Sequence, residues 1–454
     1  MAPRMAAPAT PYRAKRMWHI GLVAVLALAG CSEPETILVG KRENIRSQTE
    51  AGATAGIAVA APENQSKAIT LPRPVVNVDW VQGIGTPASR TAHPQLAQDL
   101  SIAWSADIGA GDSRRQRITA NPVVSDGRIF TLDAATTVSA LGDDGTVLWQ
   151  VDIKPARDNS GEATGGGLAV AQGTLYVAHG YGMLVALDVK TGAEKWRQAL
   201  GGTGSGAPAV SGGIVYVTAG DDTGWAIDGA NGRVLWQTTA PANVNNVLGA
   251  PAPAVSRNFA IFGFGSGDVH AIFRRGGLRR WGTAVVGERE GRALAKVGDL
   301  TGAPVVDGNT AFVGNQSGRL VALDLGLGAR LWTAAEGTTG PVFPVGGSVF
   351  AVSDQNALLR LDAKTGARIW AQPLPHFVKD RPRKRSEVFV NYGPILAGGL
   401  IYVASSDGAL RAFDPVDGTL AHQTALPRGA STAPVVANGT LYLVTTAGQL
   451  LALR

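Results

Sequence analysis

Residues 173–196 carry Gly-Thr-Leu-Tyr-Val-Ala (173–178), Gly182, Val-Ala-Leu-Asp (185–188), Thr191-Gly192 and Trp196. Apolar runs with period-two alternation are separated by short breaks containing Gly or Asp, the pattern of an antiparallel meander. The Asp-x-x-Thr-Gly element suits a hairpin turn, because Gly accepts positive φ and the Asp carboxylate can bond nearby backbone amides. The tryptophan then falls on the next strand, where its area can fill a gap between neighbouring sheets.

The unit returns as Gly213-Ile-Val-Tyr-Val, Ala226-Ile-Asp228, Asn231-Gly232 and Trp236. Two more copies are Val321-Ala-Leu-Asp324, Gly328, Trp332 and Leu359-Arg-Leu-Asp362, Thr365-Gly366, Trp370. Weaker copies end at Trp149 and Trp281, and one with Ala412-Phe-Asp414 and Asp417-Gly418 ends at His422 where Trp is expected. The positions 149, 196, 236, 281, 332, 370 and 422 lie 38 to 52 residues apart, the period of a four-stranded propeller blade. An eighth unit, from Ala433 to Arg454, stops before its tryptophan strand, and an unassigned Trp104 lies upstream in Ser101-Ile-Ala-Trp-Ser-Ala-Asp-Ile108. The count predicts an all-β, eight-bladed β-propeller of four-stranded antiparallel blades, its ring closed by the Trp104 strand, with seven blades as the alternative. Closure leaves no open sheet edge at the seam. Trp104, Trp149, Trp196, Trp236, Trp281, Trp332 and Trp370 are therefore expected to be structural.

Composition agrees. The chain has 454 residues with 59 Gly, and its formal net charge is +6 with the charges scattered. No basic stripe with interleaved aromatics appears, so nucleic acid is not an expected partner. Cys31 is the only cysteine, so no intramolecular disulfide or cysteine metal cluster can form.

The N-terminus reads as an export and anchoring signal. Arg13, Lys15 and Arg16 precede the apolar run 20–29, which is shorter than the ~20 residues a bilayer-spanning helix needs and fits a cleaved signal peptide. Leu28-Ala29-Gly30-Cys31 resembles the bacterial lipobox, which implies lipidation of Cys31. Ser32 at the next position implies sorting to the outer membrane, on its periplasmic face. The expected organisation is a signal peptide over 1–30, a flexible tether over 31–74 and the propeller over 75–454. Such a tether would span roughly 35 Å.

The repeat also resembles the tryptophan motif of pyrroloquinoline-quinone dehydrogenases. That resemblance would imply an enzyme, with adjacent cysteines against the cofactor and Ca²⁺ held by oxygen ligands. The chain has no cysteine pair and no convergent oxygen set. The expectation is no catalytic residue, no cofactor and no metal. The six histidines (19, 93, 179, 270, 376 and 422) lack metal-ligand spacing. The Gly-rich stretches 164–167 and 201–206 lead into strands rather than helices, so they are no phosphate cradle. The basic run 379–385 lies between Trp370 and the next unit. It suits either solvent or an anionic lipid or acidic protein face. A rival reading is a propeller that takes a small ligand in its central channel, which inward polar residues near the axis would favour.

Lipobox, tether and eight tryptophan-motif blades together resemble the BamB family, lipoprotein components of the outer-membrane β-barrel assembly machinery. The resemblance implies a non-enzymatic scaffold whose partners are the periplasmic POTRA domains of BamA and other subunits of that machinery, with unfolded barrel precursors as a further class. It implies two neighbouring inter-blade loops as the contact. In the first, a Leu-x-Leu-Arg-Gly-like segment aligns with Asn245-Asn246-Val247-Leu248-Gly249, which lacks the Arg. In the second, a Leu-x-Asp-Val-Asp-like segment aligns with Val297-Gly298-Asp299-Leu300-Thr301, where Thr301 replaces the second acid. Val247, Leu248, Arg292, Leu294 and Asp299 are the implied partner-binding residues. The charged flank 287–292 suits an exposed recognition loop.

Overall fold

The computed structural model describes residues 63–159, 161–203, 205–241, 250–287, 289 and 299–454. Cys31 and residues 1–62 lie outside the described residues. Eight four-stranded antiparallel sheets follow one another in chain order. Blade 1 runs from Val123–Ser125 to Val147–Asp152, blade 2 from Gly166–Ala171 to Glu194–Ala199, and blade 3 from Ala209–Ser211 to Val234–Thr239. Blade 4 runs from Ala254–Val255 to Arg279–Ala284, blade 5 from Gly302–Asp307 to Arg330–Ala334, blade 6 from Phe343–Val345 to Arg368–Pro373, and blade 7 from Asn391–Ala397 to Leu420–Ala425. Blade 8 takes Val435–Ala437, Thr440–Val444 and Gln449–Leu453 from the C-terminus and Ile102–Asp107 from upstream. In that seam Trp104 lies opposite Ala452 and Asp107 opposite Gln449, as the count predicts.

Why the motif ends in tryptophan is visible between blades. Each indole lies on the hairpin turn of the following blade and donates its Nε1–H to a carbonyl of that turn. The bonds are Trp104 to Asp143 (3.0 Å), Trp149 to Val189 (3.2 Å), Trp196 to Gly229 (3.0 Å), Trp236 to Arg274 (3.0 Å), Trp281 to Leu325 (2.9 Å), Trp332 to Ala363 (2.9 Å) and Trp370 to Pro415 (3.3 Å). Aromatic area is thereby buried with its one polar atom satisfied. The motif glycine is the other half of the lock. Gly366 has φ +72°, and a Cβ there would sit 2.6 Å from the Trp332 ring, so both the backbone and the close approach require glycine. His422 breaks the pattern for a topological reason. The next blade is blade 8, whose third and fourth strands come from opposite ends of the chain. No hairpin turn exists there for an indole to cover, and His422 faces Asp99 at 3.6 Å instead.

A second closing device was not legible as an element. Residues 63–100, upstream of the closing strand, form a strap. It begins against blades 6 and 7: Asn64 exchanges hydrogen bonds with Ala371 (3.0 and 2.9 Å), and Lys67 N donates to Val416 O (3.3 Å). Residues 63–74, expected in the tether, thus include ordered contacts with the body. The strap then circles the axis and bonds the innermost strand, or the turn beside it, of every blade in order. Asn77 bonds Val436 O and Asn438 N of blade 8 (2.5 and 2.8 Å), and Trp80 pairs with Val124 of blade 1 (2.8 and 2.9 Å). Val81 O accepts from Val170 N of blade 2 (2.8 Å), and the Gln82 amide pairs with the Val210 backbone of blade 3 (3.1 and 2.8 Å). Pro87 O and Ala88 O accept from Val255 N and Val306 N of blades 4 and 5 (2.7 and 2.8 Å). Arg90 donates to Val342 O and Pro341 O beside blade 6 (2.9 and 2.5 Å), and Pro94 O and His93 Nε2 accept from Gly398 N and Gly399 N of blade 7 (2.9 and 2.7 Å). The inner strand of a blade is an edge with unpaired amides, and the strap pairs that edge at one end of the channel.

Candidate functional site

Antiparallel topology puts the inter-blade loops and the hairpins between second and third strands on one face, opposite the strap. Two candidate surfaces lie there. One is the neighbouring pair of loops before blades 4 and 5. Val247, Leu248, Arg292 and Leu294 lie outside the described residues. Asp299 is described and is 4% exposed. It is buried, as is its neighbour Leu300 at 2% exposure, so its side chain is not itself on the surface. Thr301 Oγ1 donates to Thr338 O (2.7 Å).

The charged flank does not face outward throughout. Arg289 turns inward and forks onto Asp354 (3.1 Å from both Nε and Nη2), with Glu336 at 3.4 Å from Nη2; Arg368 reaches the other Glu336 oxygen at 3.4 Å. Burial opposes its charge, but these two carboxylates outweigh that and hold the guanidinium above its ordinary range. The network ties the loop before blade 5 to blade 6 and its flanking loops. Sequence reading missed Val286, 65% exposed on this loop. The Val285-Val286 pair just ahead of the charged run was the available signal.

The second surface is the mouth of the central channel. The strap runs at the far end, and the funnel at the mouth measures about 610 Å³. Its wall includes Asp112, Arg117, Tyr392 and Asn391, and the strap contributes Arg90. Asp112 is engaged by Ile118 N (2.8 Å), Ser431 Oγ (2.8 Å) and Arg117 Nη1 (3.5 Å). Burial pushes the Tyr392 hydroxyl up, with Asp112 adding to the effect, so it stays protonated and can donate. Val388 and Val390, at the end of the loop bearing 379–385, also border the funnel. In that loop residues 378–388 are exposed, and the Arg385 guanidinium lies 4.8 Å over Phe377. Among the described residues, no group of three or more His, Cys, Asp or Glu side chains could hold a metal ion.

His179 is fully buried in blade 2, and neither ring nitrogen has a hydrogen-bond partner among the described residues. Burial pulls its pKa from 6.5 down to about 4, with Arg197 adding to the shift and Asp152 opposing it. The folded state keeps it neutral while the unfolded chain binds a proton below pH 6.5, so stability falls as pH drops from 6.5 toward 4. The loss from this residue reaches up to about 3 kcal/mol. Denaturant unfolding at pH 7 and pH 4.5 should show a markedly smaller difference in His179→Gln; an unchanged difference would assign the acid sensitivity elsewhere.

The family model described as "Outer membrane protein assembly factor BamB" matches residues 134–372 and 381–454. The Salmonella typhimurium outer membrane protein assembly factor BamB is 26% identical over 368 residues, 79% of this chain and 91% of that one. The chain spans only 62% and 60% of the length of the first curated relatives it matches. Among solved structures, BamB from Moraxella catarrhalis superposes with TM-score 0.64 at 20% identity, over 78% of this chain and all of that one. Quinohemoprotein alcohol dehydrogenase from Comamonas testosteroni superposes with TM-score 0.60 at 16% identity, over 83% of this chain and 80% of that one. At those identities the structures share the fold.

Proposed function

Because this chain belongs to the BamB family of outer membrane protein assembly factors, we propose that it is a non-enzymatic scaffold of the outer-membrane β-barrel assembly machinery that binds the periplasmic POTRA domains of BamA. The observation that carries this reading is the family match, which runs from the third strand of blade 1 into the C-terminal strands of blade 8 and spans both loops of the implied contact. The two loops precede adjoining blades, and Arg289, in the flank of the second, is bonded to Asp354 and Glu336 of blade 6 and its flanking loop. Such a face works by burying a few apolar anchors within a polar rim. Val247, Leu248 and Leu294 are the anchors, Val286 extends the patch, and Asp299 supports the loop from beneath. Cys31 carries the lipid that holds the protein at the periplasmic face of the outer membrane. Stable anchoring needs more than one acyl chain, which the lipoprotein pathway supplies. Other subunits of the machinery and unfolded barrel precursors are further partners of the same assembly.

The test is crosslinking in intact membranes followed by capture of this protein. BamA is expected in the captured complex. Capture of soluble enzymes without BamA would overturn the scaffold reading.

A further inference from the structure

The funnel holds a cation that no described side chain neutralises. Arg90 is 9% exposed; its guanidinium lies 5.4 Å over the Phe343 ring, and no described carboxylate pairs with it. Its Nε and Nη2 donate to the Val342 and Pro341 carbonyls, which satisfies those two donors without cancelling the charge. Nη1 has no partner among the described residues. Burial pulls the group down to about 9, still protonated at neutral pH. The one carboxylate among the described lining residues, Asp112, is already held by two neutral donors and Arg117. A buried charge without a counter-ion is costly.

Asn391 supplies the complementary defect. It is 4% exposed and lines the same funnel. Its Nδ2 donates to Pro375 O (3.0 Å), while its buried Oδ1 accepts nothing among the described residues. A buried acceptor left empty costs about 1–3 kcal/mol. The funnel therefore offers an unneutralised guanidinium, an unfilled acceptor and the Tyr392 donor, in a concave space of a size that suits a small ligand.

We propose that this funnel binds a small organic oxyanion that also carries an O–H or N–H donor, with Arg90 taking the anionic group and Asn391 Oδ1 the donor. The strap completes the site, because it delivers Arg90 to the funnel wall. The exposed Arg117 on the wall (side chain 56% exposed) draws anions toward the mouth.

Calorimetric titration of the full chain with gluconate, glucose 6-phosphate and glucose tests this. The first two pair hydroxyl donors with a carboxylate or a phosphate, and the third lacks the anion. Saturable binding of at least one anion, with none of glucose, is expected, and the stronger anion identifies the headgroup. Arg90→Met should weaken that anion at least tenfold. Should Arg90→Met loosen the strap, seen as a lowered Tm, Arg117→Gln leaves the strap untouched and should weaken binding severalfold, with steeper loss in added salt for the wild type. No saturable binding of either anion, equal binding of glucose, or full affinity in a stably folded Arg90→Met would overturn the assignment.

Discussion

A chain lacking residues 63–94 but keeping the closing strand 102–107 will lose at least roughly 5 kcal/mol of stability. Trp80 is 1% exposed and sits in the largest apolar cluster, against the channel end of blade 1. Its removal alone should cost about 3–5 kcal/mol. The strap also satisfies backbone groups on eight blades, each of which would otherwise meet water in a narrow channel or go unpaired. Two-state unfolding in denaturant measures the effect, with the single variant Trp80→Ala expected to reproduce most of it. A truncated chain that melts within about 2 °C of the intact one would mean the blades hold the ring without the strap.

Trp370→Ala will be the most damaging change in the repeated motif, at roughly 3–5 kcal/mol. Trp370 is the only motif tryptophan at 0% exposure. It covers Gly418, where a Cβ would lie 2.9 Å from the ring, and donates to Pro415 O. Arg360, 1% exposed, converges on the same Pro415 carbonyl and on Val416 O at 3.0 Å each. The cavity left behind thus borders a buried cation that depends on the turn staying in place. His422→Ala, at the equivalent position of blade 7, should cost less than about 1 kcal/mol, because its side chain is 41% exposed and covers no turn. Comparable losses in the two variants would contradict the turn-covering role assigned to tryptophan.

The contrast between 370 and 422 explains what could be read from sequence. The tryptophan period announces blades because each indole serves the same turn in the next blade, so residue type is constrained at every copy. The missing copy marks where the ring is sewn from two chain ends, and Trp104 supplies the blade that lacks its own fourth strand. The strap left no such trace. Most of its contacts use backbone atoms, as at Val81, Pro87 and Ala88, or one side chain standing in for a peptide group, as at Gln82. No periodicity is required for that, so 63–74 read as tether. Arg90 and Asn391 were missed for a related reason. They belong to different parts of the chain and to no motif, and only the folded ring brings them to one funnel. Arg289 was misjudged because charge in a loop usually faces water, and its inward turn depends on Asp354 and Glu336 from other loops.

The proposed docking of BamA on the loops before blades 4 and 5 has a direct test. Membrane crosslinking and capture, run in parallel on the wild type and on the double variant Val247→Glu, Leu248→Glu, tests it most directly. The wild type is expected to retain BamA, and the variant, folded to the same Tm, to recover at least tenfold less of it. Equal recovery of BamA by both proteins would contradict the assigned face, and its absence from both would contradict the scaffold itself.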